Sequence, residues 1–192
     1  MTIYRTRTRR WSRAEYERLN ELGVFQTGEP IELIGGELMV AEPQGALHYT
    51  AICKTVKALE AAFGGGWVVR MQGPIGLDEE SEPEPDVAVV PGGLEDYRSG
   101  HPSRPALTVE VAESTLGCDR ERKGSLYARA GLPDYWVLNL KDCVLEVYRE
   151  PAPDPSALFG WRYARREVFD SLAHVSPLAA PGASILVGDL LP

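Results

Sequence analysis

The sequence predicts one α/β domain built on a mixed sheet. Short apolar runs bounded by glycine, proline or acidic residues outnumber the helical stretches. Two pairs of such runs flank hairpin signals, at Gly35-Gly36 and at Lys141-Asp142. The helical stretches, about three in number, do not alternate with strands one for one, so a repeated βαβ array is not expected. At 192 residues the chain is long enough for one real core. The expected organisation is a single domain over 1–192, with residues 1–10 as a flexible arm.

Taken in order, "SRAEYERLNELG" carries an N-cap serine, Ser12, then helix formers, and closes at Gly23. "IELIGGELMVAE" reads as the first hairpin. Residues 47–63 form a helix whose Ile52, Val56, Leu59 and Phe63 make one stripe, stopped by Gly64-Gly65-Gly66. "WVVRMQGPIGLD" is a strand broken or bulged at Gly73-Pro74. "DVAVV" is a short strand ending at Pro91-Gly92, and "ALTVEVAES" is the next. "DRERKGSLYARAG" is a helix ended by Gly131, with Pro133 beyond it. "DYWVLNL" and "CVLEVYRE" make the second hairpin, and "PAPDPSALFG" a proline-rich loop. "WRYARREVFD" is a last strand, and "ASILVGDLL" a short terminal element.

Composition narrows the function classes. A hydrophobic share of 44% with 25% charged residues fits an ordinary globular chain. A formal charge of -8 argues against binding nucleic acid through bulk surface electrostatics, though it leaves room for a local basic groove. No apolar run approaches the roughly 18 residues of a membrane span. The arginine-rich start has no apolar stretch behind it, so no secretory signal is read and a cytoplasmic protein is expected. Cys53, Cys118 and Cys143 are far apart and form no CxxC, which argues for reduced, partly buried thiols instead of zinc or disulfides.

Alternation along Leu107–Ala112 puts Leu107, Val109 and Val111 on one face and Thr108, Glu110 and Ala112 on the other. Glu110 is therefore a carboxylate in mid-strand, costly unless paired, exposed or metal-bound. An edge strand with Glu110 in water is the alternative. In the following helix, Lys123 falls on the apolar stripe of Leu116, Leu126, Tyr127 and Ala130, with Arg122 and Arg129 to the sides. It either snorkels outward or points into a site. Asp119, four residues before it, reads as a surface-type helical partner.

"SEPEPDVAVV" raises a third point. An acidic loop with six carboxylates from Asp78 to Asp86 runs directly into a buried strand, and Asp86 stands at the seam. Most of the run is expected to be solvated. Asp86 and Glu110 on neighbouring strands could hold a hard divalent cation, magnesium or manganese, with Lys123 offsetting charge at a phosphoryl group. Glu32 of the first hairpin is the candidate third acid, with Glu37 as its rival. His48, one turn before Ile52, faces inward as a base candidate or a structural histidine. Basic compensation for a phosphate backbone is sought in Arg5, Arg7, Arg9, Arg10 and Arg13, and in Arg120, Arg122, Lys123 and Arg129.

The ordered series "IELIGGELMV", a histidine opening a helix, "EPEPDVAVV", "LTVEVAES", "DRERKGSLYARAGLPDYWVLNL" and "LEVYRE" resembles the Uma-two family of restriction-endonuclease-like proteins, within the PD-(D/E)XK nuclease superfamily. The resemblance runs from about Trp11 to Glu150 and is most specific from Glu110 through "KGSLYARAGLPDYW". It implies a restriction-endonuclease-like core, a mixed central sheet flanked by helices, with a magnesium-dependent site. Asp86 matches the family's aspartate after proline and Glu110 its second acid. The lysine that usually follows two residues later is replaced by Ala112, and Lys123 matches a migrated lysine. The combined expectation is a metal-dependent endonuclease acting on DNA, as a homodimer, with no membrane partner. Asp86, Glu110, Lys123, Glu32 and His48 form its site, and Asp86 and Glu110 hold the metal. The alternatives are a non-catalytic nucleic-acid or protein-binding module on the same scaffold, and a hydrolase of small phosphorylated substrates.

Overall fold

The computed structural model of the chain describes residues 8–26, 28–41 and 43–192. Residues 1–7, with Arg5 and Arg7 of the expected arm, lie outside the described residues. The next part of that arm is tied down, since Arg9 pairs with Glu15 and Arg10 with Glu80.

Helix α1 (Arg13–Glu21) starts at a reciprocal cap: the Glu15 N–H donates to the Ser12 hydroxyl, and the Ser12 N–H donates to the Glu15 carboxylate. Strands β1 (Ile31–Ile34) and β2 (Glu37–Val40) pair antiparallel around Gly35 and Gly36. Both glycines have positive φ, 58° and 78°, as a tight two-residue hairpin turn demands. One face of this hairpin packs Ile31 and Leu33 on Tyr16 of α1. Helix α2 (Ala46–Phe63) buries Ile52 and Leu59 completely, with Val56 and Phe63 at the margin, which is the expected stripe.

The central sheet has six strands, hydrogen-bonded in chain order: β3 (Trp67–Met71), β4 (Val87–Pro91), β5 (Leu107–Ala112), β6 (Asp134–Asn139), β7 (Val144–Pro153) and β8 (Trp161–Phe169). Every neighbouring pair is antiparallel except β5 and β6, which run parallel. The crossover between those two is the predicted helix, in two parts. Cys118–Lys123 is π-helical and continues into α3 (Gly124–Arg129). A small pair, β9 (His174–Val175) with β10 (Ile185–Leu186), closes the chain.

The alternation read from the sequence holds. Leu107, Val109 and Val111 pack with Ala51, Ile52 and Leu59 of α2 on one face of the sheet. Ala88, Ala112 and Val137 pack with Tyr127 and Ala128 of α3 on the other. This is the mixed sheet flanked by helices that was expected.

Several details differ from expectation. Strand β3 stops at Met71 because Gln72 takes positive φ. Strand β7 runs on through Pro151 and Pro153, which were expected in a loop. That stretch pairs with β8 alone, so prolines lacking an N–H interrupt no second ladder. The acidic run is only partly solvated: Glu82 and Asp86 are buried, because the loop docks on the hairpin through mutual Leu33 and Glu82 main-chain bonds. All three cysteines are free thiols. Cys53 and Cys143 are exposed instead of partly buried. No helix among the described residues is long and apolar enough to cross a membrane.

Candidate active site

Asp86 sits one residue before β4. The β4–β5 ladder ends at the pair Val87 and Val109, so β4 offers no carbonyl to Val111 further along β5. Asp86 fills that gap: its Oδ2 accepts the Val111 N–H at 2.7 Å. A buried backbone donor is satisfied, and the carboxylate is locked to the neighbouring strand. His48, in the first turns of α2, completes the clamp. Its Nε2 is 2.7 Å from the Val111 carbonyl and 3.3 Å from Asp86 Oδ2, while its buried Nδ1 has no partner. Burial disfavours a charged imidazole, yet the Asp86 carboxylate and the Val111 carbonyl outweigh it and raise the His48 pKa.

Glu110 lies in an interior strand, not an edge, and is 3% exposed. It accepts a hydrogen bond from the Tyr127 hydroxyl at 2.7 Å, and its Oε1 lies 3.1 Å from Lys123 Nζ. Lys123 does not snorkel. It reaches inward and also meets Glu32 of β1 at 3.2 Å. Burial works against the Lys123 charge, but the surrounding carboxylates of Glu110, Glu32, Asp119 and Asp86 hold its pKa well above the ordinary range. Burial drives the Glu110 carboxyl well up, with Lys123 opposing. Glu37, the rival of Glu32, does not line the same cavity. It is exposed and pairs with Arg122 at 2.6 Å.

The site thus gathers Asp86, Glu110, Lys123, Glu32 and His48 around one cavity of about 380 Å³. The cavity has two unlike walls. The sheet and the crossover helix contribute Asp86, Glu110, Asp119 and Lys123, while residues 30–44 contribute Ile34, Met39, Val40 and Pro43 beside Glu32. Asp119 also lines it and was read from the sequence only as a surface partner. It is 3% exposed, accepts a 2.5 Å bond from the Thr115 hydroxyl, and burial pushes its pKa to about 6 against the pull of Lys123. The signal for it was present: Asp119 is i+3 from Leu116 and i−4 from Lys123, on the inward stripe. Tyr127, read as a stripe residue, is also the hydroxyl that orients Glu110.

Of the expected basic compensation only Lys123 enters the cavity among the described residues, and the described arginines pair elsewhere. Arg13 pairs with Glu17, Arg120 with Glu146, Arg122 with Glu37 and Arg129 with Asp78, in addition to the Arg9 and Arg10 pairs.

The sequence matches the family model Uma2, described as "Putative restriction endonuclease", over residues 13–188. The chain belongs to this family. In this Uma2 chain the strand position two residues after Glu110 is Ala112, buried against Tyr127, and the ammonium arrives from the crossover helix instead. A solved structure of a "putative nuclease belonging to DUF820" from Anabaena variabilis has the same fold. It superposes with a TM-score of 0.64 at 20% identity, covering 90% of this chain and 96% of that one. Comparison with curated proteins found no match.

Proposed function

We propose that this Uma2 chain is a cytoplasmic, metal-dependent endonuclease that hydrolyses DNA phosphodiester bonds. The observation that carries this reading is the convergence of Asp86, Glu110 and the buried ammonium of Lys123 on one cavity. A pure binding module would gain nothing from carboxylates beside a phosphate.

The donor set suits a small hard cation. Asp86 commits Oδ2 to Val111 and His48, and Glu110 commits Oε1 to Tyr127 and Lys123, so each keeps its other oxygen for a ligand. No group of three or more acidic, histidine or cysteine side chains among the described residues is arranged to hold an ion unaided. Magnesium takes one or two carboxylates and completes its shell with water and substrate oxygens, so Asp86 and Glu110 would be the ones to hold it. Bound there, magnesium or manganese would lower the pKa of a coordinated water and polarise a phosphoryl oxygen.

The chain's own groups do the rest. Val111 and His48 hold Asp86 in place, and Tyr127 holds Glu110. Lys123 presents a fixed positive charge to the oxygens that become more negative as the water oxygen bonds to phosphorus. Asp119, with a pKa of about 6, is placed to exchange a proton near neutral pH.

The test is cleavage of plasmid and single-stranded DNA with magnesium, manganese or chelator, using wild type and Asp86→Asn. Wild type is expected to cut only with metal, and Asp86→Asn not at all, even with extra metal. Wild type that binds DNA and never cuts with any metal would establish the binding-module alternative.

A further inference from the structure

We infer that the wall facing the carboxylates receives an unpaired nucleobase, so that the strand cut is single-stranded at the site. This rests on the nuclease reading above for the phosphate beside it. The hairpin register sets up the two walls. Met39 is the direct partner of Glu32 across β1 and β2, and partners across a ladder share a face. The face that sends Glu32 to Lys123 therefore sends the Met39 thioether to the same cavity, with Ile34 two residues along from Glu32. Val40 and Pro43 extend this apolar side, and Gln44 supplies an amide at its margin. A phosphate needs none of these groups. A nucleobase needs both, since it has an apolar face and a hydrogen-bonding edge.

Size and charge agree. A cavity of about 380 Å³ is in the range of small-ligand sites and fits one nucleotide, not a duplex. Gripping a duplex by its phosphates takes several unpaired cations. Among the described residues, the candidate phosphate contacts Arg10, Arg13, Arg120, Arg122 and Arg129 are all in ion pairs, and the chain carries a formal charge of -8. Contacts to the base then add affinity that these paired arginines do not supply, as stacking does for single-strand binders. Val40, one of the lining residues, stands exposed as a large apolar side chain. A single strand has no dyad, so this substrate calls for no symmetric dimer.

The test is equilibrium binding of the full chain to a labelled short single strand and to the same strand annealed, with calcium replacing magnesium. A 2-aminopurine in the strand reports the base. Wild type is expected to bind the single strand on the order of tenfold more tightly than the duplex, with a change in 2-aminopurine emission. The double variant Met39→Ser, Val40→Ser should lose on the order of tenfold in single-strand affinity, and the emission change with it. Its duplex binding and thermal midpoint should stay as in wild type. Equal or tighter binding of duplex, no single-strand binding, or wild-type binding by the double variant would each overturn the inference. The two readings fail separately. Single-strand binding that depends on Met39 and Val40 but is never followed by cleavage overturns only the nuclease reading. Duplex cleavage untouched by the double variant overturns only the base site.

Discussion

Lys123 Nζ lies 3.1 Å from Glu110 Oε1 in a pair whose side chains are 10% and 4% exposed. A lysine two residues after Glu110 would share its strand face, but Ala112 holds that place and packs on Tyr127. The crossover helix sits over the same face and supplies the cation from above. Its π-helical first part carries Asp119 and Lys123 together into the cavity, a local distortion of the kind that recurs at functional sites.

Replacing Lys123 by Met keeps most of the stem and removes the charge. Cleavage is expected to fall roughly 100-fold or more, the usual scale for losing one fixed donor to a transition state. DNA affinity should change far less, since one phosphate contact is a small share of binding. Single-turnover cleavage alongside equilibrium binding separates the two. Equal losses in both would make Lys123 a binding residue only.

Tyr127→Phe removes one hydroxyl and keeps the ring, which packs edge-on against Tyr135 at 5.0 Å. Glu110 then loses its 2.7 Å donor but keeps Lys123. The expected cost is about 1 kcal/mol of stability and about tenfold in cleavage, from a less firmly oriented carboxylate. The metal requirement should shift to higher magnesium concentration. Unchanged magnesium dependence would show that Tyr127 supports the fold alone.

The legible part of the site followed from short-range rules. Strand alternation put Glu110 on the face opposite Leu107, Val109 and Val111, and helical periodicity put Lys123 on the apolar stripe, from which it either snorkels or points into a site. The Gly35-Gly36 turn announced the hairpin that brings Glu32. What escaped depended on long-range cover. Asp119 is the exception, since its spacing from Leu116 and Lys123 already put it on the inward stripe. Docking of the acidic loop on the hairpin buries Glu82, which local composition marks as solvated. The ion pairs that occupy Arg122 and Arg129 join residues 85 and 51 positions apart, and no local pattern reports them. The Asp86 role at the seam was visible as a question. Its answer, a carboxylate standing in for a missing main-chain acceptor, required the register of β4 on β5.

Glu146 on β7 anchors the crossover helix to the sheet through Arg120, and also accepts from the Tyr148 hydroxyl at 2.6 Å and from Arg166 at 3.1 Å. Burial alone would raise its pKa, but these donors outweigh it and lower it to about 2. A lowered carboxyl stabilises the fold at pH values above its unfolded pKa, near 4.5, and that contribution is lost as pH falls toward 2. Glu146→Gln should therefore cost about 3 kcal/mol at pH 7 and progressively less below pH 4.5. Urea denaturation across that range measures it. A cost independent of pH would mean that shape, not charge, is what Glu146 contributes.

Glu82 carries the opposite sign. It clamps β1 through main-chain bonds to Leu33, while its Oε2 is buried without a partner. Burial first, then the nearby Glu17 carboxylate, raise its pKa to about 7, with Arg13 opposing only in part. The folded state therefore binds a proton that the unfolded chain has already released between pH 4.5 and 7. Its contribution is greatest below pH 4.5 and declines as pH rises through 7. Glu82→Gln keeps the neutral shape at every pH, so the variant should exceed wild type in stability by roughly 1–3 kcal/mol at pH 8 and match it at pH 4. The hairpin under this clamp carries both Glu32 and Met39, so its loosening should be visible locally. Amide exchange in 31–40 should quicken from pH 6 to 8 beyond the intrinsic rate in wild type, and not in Glu82→Gln. A variant whose stability tracks wild type at all pH values would show that Glu82 is already ionised in the folded chain.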